Sequence, residues 1–383
     1  MDTVGETTVE GFRARLRALE PAVAAERPDL DAARQLSDDL YHKLAAIGLF
    51  RTWLPAAYGG AELSALDFMD VVEEAAALEG AIGWLAGNGG AMSRTAAFLP
   101  EESALEIFSD PAAFVAAGSA VFGNAVPTEG GYRVTGRWPF GSGAPHATWF
   151  SPFCEIDSPD HPSKPKIMVY VPRKDVILHD NWYVSGLCGT GSGDFEFQDV
   201  FVPDRFVHPF EPEPTQPGTL YRVRTRHLFT WSVATVPLGI ARGALNEFVA
   251  MATRKKRMGD SIPLAERELV HSEVGRVEAN LCAARVFLRQ AMVDLLTAVD
   301  AGSDAIPERV RMRLAATFAS ETALSAIGQL TAIAGTVSIL RSFRLERYER
   351  DARAAAKHAA MSPAAYIPGG KFVLGLDVSQ DRI

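Results

Sequence analysis

Helical periodicity runs through both ends of this chain and stops for a long stretch in the middle. Apolar residues recur at three- and four-residue spacing over 12–26 and 31–47. WLPAAYGGAEL (53–63) breaks that pattern with Pro55, Gly59 and Gly60. Ser64, with Asp67 three residues on, forms a variant capping box for a helix reaching Glu79, and another follows over 82–99. From 114 to 209 Val, Phe, Tyr and Trp alternate with polar residues, and Gly and Pro punctuate. GYRVTGRWPF, KIMVYVPRKDV and GDFEFQDVFVP read as strands joined by turns. Longer helices then return over 228–258, 264–301, 307–334 and 338–358. Pro307 sits in a first turn, and Pro363 follows the last helix. The order predicts a mainly α chain with a central β domain, divided at 1–112, 113–225 and 226–383.

Composition excludes several classes. A net charge of -9 argues against a nucleic-acid partner. Cys154, Cys188 and Cys282 are odd in number and lack a C-x-x-C pair, which fits neither a disulfide framework nor a zinc site and suits a reducing compartment. The first ten residues, MDTVGETTVE, are acidic without an apolar core, so no signal peptide is expected. The apolar run 228–241 contains Thr230, Ser232, Thr235 and Pro237. It is too short and too polar to span a bilayer and reads as a buried helix. A cytoplasmic protein with no membrane partner is the expectation. Eight histidines show no H-x-x-x-H, so no metal is expected, and no G-x-S-x-G elbow supports a hydrolase.

Five segments carry candidate chemistry. GTGSG (189–193) lacks the Lys-Ser/Thr of a phosphate loop and lies between strands, so it reads as a turn. No nicotinamide fingerprint occurs elsewhere. TRKKRMG (253–259) and RVRTRH (222–227) suit either solvated helix ends or a phosphate. GRWPFGSGAPHATWF (136–150) sets Trp138 and Phe140 beside Ser142. That pattern fits either an ordinary sheet core or one face of a planar ring, with a hydroxyl for a ring heteroatom. LERYERDARAAAKHAA (345–360) ends on His358 after a run of alanines. A histidine in the last turn of a helix can simply suit the dipole.

LPAAYGGAELS, AIGWLAGNGG, GYRVTGRWPFGSGAPHATWF, WYVSGLCGTGSGDFEFQDVFVP and LERYERDARAAAKHA, in this order, resemble landmarks of the acyl-CoA dehydrogenase superfamily. More closely they resemble its oxygenase branch, the two-component flavin-dependent monooxygenases (group D), which includes phenol-oxidising components, dibenzothiophene monooxygenases and amino-sugar nitrososynthases. The resemblance covers nearly the whole chain. It implies an N-terminal helical domain, a middle β-barrel domain and a C-terminal four-helix bundle, assembled as a homotetramer. It implies reduced FMN or FAD as cofactor, molecular oxygen as co-substrate and a separate NAD(P)H:flavin reductase as partner.

The resemblance also implies roles for particular residues. Trp138, Phe140 and Ser142 would face the flavin ring, with Ser142 near N5, and Ser192 would be a further contact. Arg254 would reach the flavin phosphate or pyrophosphate, and Gly335 and Thr336 would form another cofactor loop. Acyl-CoA dehydrogenases carry a glutamate base just after a helix reading RDA. Here RDA is 350–352, and the corresponding place holds His358 and Ala359. A second known base position falls near Phe229 and Thr230, which offer no carboxylate. Related oxygenases carry a histidine at the place of His358. They often carry another about eight residues after Gly83-Trp84, where this chain has Met92, Ser93 and Arg94. Trp84 and Ser93 would then line the substrate pocket.

The implied reaction is monooxygenation of an aromatic or other small organic molecule through a flavin C4a-hydroperoxide. His358 would act as a proton acceptor or as a hydrogen-bond partner of the peroxide. The competing class is an FAD-dependent dehydrogenase or oxidase of the same fold with a relocated base. A third is a helical scaffold without flavin.

Overall fold

The computed structural model describes residues 8–160, 163–256, 261–379 and 381. Seven helices come first: α1 (Val9–Ala18), α2 (Glu20–Glu26), α3 (Leu30–Ala33), α4 (Asp38–Ala46), α5 (Ala65–Leu78), α6 (Gly80–Ser93) and α7 (Glu101–Phe108). Eight strands follow: β1 (Val115–Thr128), β2 (Gly131–Trp138), β3 (Trp149–Ile156), β4 (Lys166–Val169), β5 (Val171–Pro172), β6 (Ile177–Leu178), β7 (Phe195–Pro203) and β8 (Val207–Pro209). The chain closes with α8 (Thr219–Arg222), α9 (Thr225–Ala252), α10 (Glu268–Asp300), α11 (Ile306–Ala334), α12 (Arg344–Ala355) and α13 (Tyr366–Val373). The helix, sheet, helix order expected from periodicity is present. Two expected helices are split. Leu19 ends α1 and starts α2, with Pro21 in the first turn, and Arg34 takes a left-handed φ of 58° that stops α3.

The elements pack into two compact units. One comprises the chain through Ser64, Leu85–Val184 and Cys188–Thr225. The other comprises Ala65–Trp84, Ser185–Leu187 and Arg226–Ile383. The N-terminal helices other than α5 and the start of α6 thus share a unit with the sheet.

In the first unit the strands run β6-β7-β2-β1-β3-β4-β8, with β5 also on β3. Among the described residues only β1 and β3 pair in parallel. Among the described residues this path does not close on itself through hydrogen bonds. Glu129 and Gly130 form the two-residue loop between β1 and β2, and Gly130 supplies the positive φ (76°) that such a hairpin demands. The core is aromatic: Phe114, Trp138, Phe150, Phe195 and Phe197 are fully buried.

In the second unit α9 is buried almost all round, as expected of a helix that is apolar on every side. α10 and α11 are joined by five residues, 301–305, with left-handed conformations at Gly302 and Ala305. α5 is tied to α10 by Arg285, which bonds Glu73 at 2.7 Å and also pairs with Asp70, and by Arg289 on Asp70 at 2.9 Å. α12 lies on α5 through Tyr348, whose hydroxyl donates to Ala77 at 2.7 Å. Thr225–Ala252 and Ile306–Ile339 are long and apolar enough to cross a membrane by length and composition. In the first, 89% of the most apolar window is buried inside the protein, in keeping with the buried helix expected at 228–241.

Candidate active site

In the first unit two turns are laced together. Gly141 donates its N–H to Gly193 (3.0 Å), Gly143 donates to Thr190 (2.9 Å), and Ser142 donates to Phe140 (2.9 Å). This brings the two predicted serines into contact. Ser192 Oγ donates to Ser142 Oγ at 2.9 Å and lies 2.7 Å from Thr190 Oγ1. The hydroxyl chain is nearly buried, but the ring beside it is not. Phe140 is 63% exposed at a left-handed φ of 63°, a conformation costing a bulky residue on the order of 1 kcal/mol or more. Trp182 meets it edge-on at 6.4 Å. An exposed aromatic face flanked by hydroxyls that donate and accept is a donor set suited to a flat heteroaromatic ring.

Trp138 does not share that surface. It has no exposed area, stacks on Phe195 (5.4 Å) and meets Phe197 at a tilt (4.7 Å), while its indole N–H donates to the Phe153 carbonyl. Its surroundings are shaped for it. A Cβ on Gly123 would come within 2.1 Å of the indole, one on Gly136 within 2.8 Å and one on Gly118 within 3.0 Å. The ring-facing role expected of Trp138 is therefore corrected to a core role: the alternation of β2 turns its side chain inward, and Phe140 is the aromatic that reaches the surface.

His358 is organised in the second unit. It does not end a helix. α12 stops at Ala355, and His358 adopts an extended conformation (φ -65°, ψ 137°) that starts a short 3₁₀ turn, Ala359–Met361. Its Nδ1 accepts the backbone N–H of Ala360 at 3.2 Å. Trp84 approaches the ring edge-on at 5.8 Å and Phe229 at 6.0 Å. Burial, reinforced by the Arg313 guanidinium, lowers its pKa to about 4. A neutral ring whose Nδ1 accepts carries its proton on Nε2, so Nε2 is a donor. The dipole-compensating reading requires a cation in a last turn, and neither condition holds.

The acids of the RDA helix are committed elsewhere. Asp351 is buried and accepts the N–H of Leu187 at 2.7 Å. Arg347 on the same helix donates to buried Glu79 at 2.7 Å, and Arg350 donates to the Ser185 carbonyl at 2.7 Å. The backbones approach so closely there that a Cβ on Gly186 would lie 2.2 Å from the Arg350 carbonyl oxygen.

The remaining candidates divide between the units. Ser93, at the end of α6, is buried with its hydroxyl on the Gly90 carbonyl at 2.8 Å. The neighbouring Arg94 is buried and donates to the carbonyls of Leu220 (2.9 Å), Tyr221 (3.0 Å) and Val223 (2.5 Å) and to the Thr225 hydroxyl (3.2 Å). Burial lowers its pKa to about 9. In RVRTRH, Arg224 pairs with Glu211 at 3.2 Å. Arg254 is exposed just beyond α9; Arg257, Met258 and Gly259 lie outside the described residues. Gly335 and Thr336 are exposed in the turn after α11. Lys255 donates to the Ala334 carbonyl at 2.7 Å, so the segments bearing Arg254 and Gly335–Thr336 adjoin. Sequence reasoning missed Arg313 and Thr190. The signal for Arg313 was a charge on the small-residue face of α11, level with Ala316, Thr317 and Ser320, all buried.

Comparison with known proteins gives a consistent result. The family model for the acyl-CoA dehydrogenase N-terminal domain matches residues 9–100, and that for the C-terminal domain matches residues 231–363. The chain is 30% identical over 376 residues to a pigment production hydroxylase of a Rhodococcus species, spanning 95% of this chain and 96% of that protein. It is 29% identical over 373 residues to the indole-3-acetate monooxygenase of Pseudomonas putida, spanning 97% and 93%. Among solved structures, XiaF from a Streptomyces species, in complex with FADH2 and glycerol, superposes with a TM-score of 0.88 at 25% identity, covering 96% of each chain.

Proposed function

Since the chain belongs to the acyl-CoA dehydrogenase family, and within it to the flavin-dependent monooxygenases, we propose that it is the oxygenase component of a two-component system that oxidises an aromatic small molecule. The observation that carries this reading is His358. A dehydrogenase of this fold needs a carboxylate to take the α-proton; the family resemblance puts His358 in that place, and its imidazole is neutral with Trp84 and Phe229 beside it. The buried acids of the same unit, Asp351 and Glu79, are held by Leu187 and Arg347.

Reduced flavin, when bound, supplies the electrons that activate O2 for transfer of one oxygen atom to the substrate. Phe140 offers its exposed face to the flavin ring, and Ser142, backed by Ser192 and Thr190, bonds the ring edge. In the second unit, Arg254 and the adjoining Gly335–Thr336 turn suit a phosphate group. His358 presents Nε2–H to an oxygen atom: the Ala360 N–H on Nδ1 leaves the proton on Nε2, and burial keeps the ring neutral at neutral pH. Trp84 and Phe229 exclude water from that hydrogen bond. In the first unit, Ser93 offers a substrate the acceptor capacity its hydroxyl retains. A separate NAD(P)H:flavin reductase delivers the cofactor, consistent with a sequence lacking a nicotinamide fingerprint. The protein works as a cytoplasmic homotetramer.

The test is to mix anaerobic protein with reduced FMN or FAD, add oxygenated buffer and a panel of phenols and indoles, and compare product formed with hydrogen peroxide released. Product stoichiometric with reduced flavin for some member supports the reading. Peroxide alone with every member, together with reduction of tightly bound FAD by an acyl thioester, would replace it with the dehydrogenase.

A further inference from the structure

We propose that Arg313 is the positioning residue of the His358 site: acting through Ala360, it fixes the imidazole as the tautomer that offers Nε2–H. Arg313 lies on α11, buried, with Nη1 donating to the Ala360 carbonyl at 2.9 Å. The same residue, Ala360, donates its N–H to His358 Nδ1 at 3.2 Å. The turn is closed by the Met361 N–H on the His358 carbonyl at 3.0 Å. Ala360 is thus gripped from one side by the guanidinium and grips the ring with the other. If the residue rotated, Nδ1 would lose its donor, and the proton could move to either nitrogen.

A second bond reaches the same turn from one helical turn further along α11, where the Thr317 hydroxyl donates to the Ser362 carbonyl at 3.2 Å. It touches neither Ala360 nor the ring, so it is an internal control. The elements around the ring present Trp84 from α6, Phe229 from α9 and Arg313 from α11. Arg313 is the charged group among them whose field acts on the imidazole. Arg313 therefore has two separable effects, a hydrogen bond that sets the tautomer and a charge that opposes protonation.

The inference rests on His358 as the proton-handling group, but its test uses flavin-free protein, so the two readings fail separately. The 15N signals of the His358 ring, assigned by their loss in His358→Gln, report tautomer and titration. In the unaltered protein, Nδ1 is expected to be unprotonated and Nε2 protonated at neutral pH. Arg313→Gln removes the charge and keeps an N–H donor, which ends two bonds short of the Nη1 position and serves Ala360 through a bridging water. It should preserve the tautomer and raise the titration midpoint by about one pH unit. Arg313→Met removes both effects and should mix the tautomers as well. Thr317→Val should leave both signals unchanged. In the flavin-loaded enzyme, the acid limb of kcat should move upward with the midpoint in Arg313→Gln while flavin Kd stays constant. Unchanged signals in folded Arg313→Met, or equal changes in Thr317→Val, would overturn the proposal. If Arg313→Met fails to fold, an unmoved midpoint in Arg313→Gln overturns it instead.

Discussion

The backbone N–H of Leu187 donates to Oδ1 of Asp351 at 2.7 Å, from a residue held at a left-handed φ of 54°. Burial raises the Asp351 pKa, Glu79 beside it adds to the rise, and Arg347 opposes it. A carboxyl raised above its unfolded value keeps a proton in the native state that the unfolded chain releases. Its contribution to stability is complete at acid pH and is lost as pH rises toward neutrality. Asp351→Asn, which retains an oxygen for Leu187, should therefore gain in Tm relative to the unaltered protein as pH goes from 4 to 7. Asp351→Ala orphans the Leu187 N–H and should cost about 1–3 kcal/mol by denaturant unfolding.

His358 has the opposite linkage. Its pKa is lowered from 6.5 to about 4, so the unfolded chain binds the proton more tightly and stability is lost as pH falls through that window. His358→Gln should flatten this limb of the Tm profile. The same substitution should lower coupled product formation by about 10²-fold while reduced flavin is still consumed, the difference appearing as hydrogen peroxide. In the free enzyme, the ionisation of His358 should appear near pH 4 in kcat/KM, not near 6.5.

Ser192 and Ser142 act as a pair, with the first donating to the second. Ser142→Ala and Ser192→Ala should each weaken anaerobic binding of reduced flavin by about five- to tenfold, the equivalent of roughly one hydrogen bond. The double variant should lose less than the product of the two, because the serines share one chain. Fluorescence titration with FMN and with FAD checks both statements and ranks the two cofactors.

Arg94 spreads its guanidinium over three carbonyls and a hydroxyl between Leu220 and Thr225. A lysine carries its donors on one atom and cannot span them. Arg94→Lys should cost about 3 kcal/mol and lower Tm without changing the tautomer of His358.

Much of this architecture was legible because it is written in local pattern. Periodicity located the long helices and the strand-rich middle, and Ser142 stood out as a hydroxyl beside aromatics and glycines, whereas GTGSG read only as a turn and Ser192 came from the family resemblance. What was not legible depends on distant partners. Trp138 reads like Phe140 in the sequence. Only the strand alternation and the opposing Gly118 and Gly123 decide which ring is buried. The helix assigned to 338–358 is interrupted because Gly335–Ile339 forms a 3₁₀ turn and α12 starts only at Arg344. The role of Arg313 depends on a carbonyl 47 residues later, which no spacing rule relates to it.

The three glycines around Trp138 constrain how this sheet can diverge. A methyl at position 123 would overlap the indole at 2.1 Å, one at 136 would crowd it at 2.8 Å, and one at 118 would meet Phe195 at 2.7 Å and the Trp138 Cβ at 2.8 Å. Overpacking of this kind costs about 1–3 kcal/mol per site, so no single replacement among these positions is neutral while the indole remains. An alignment of relatives should show positions 123, 136 and 138 covarying. Where 138 shrinks, alanine or serine should fill 123 or 136, whereas 118, which also faces Phe195, should stay glycine; where tryptophan stays, the glycines should stay with it.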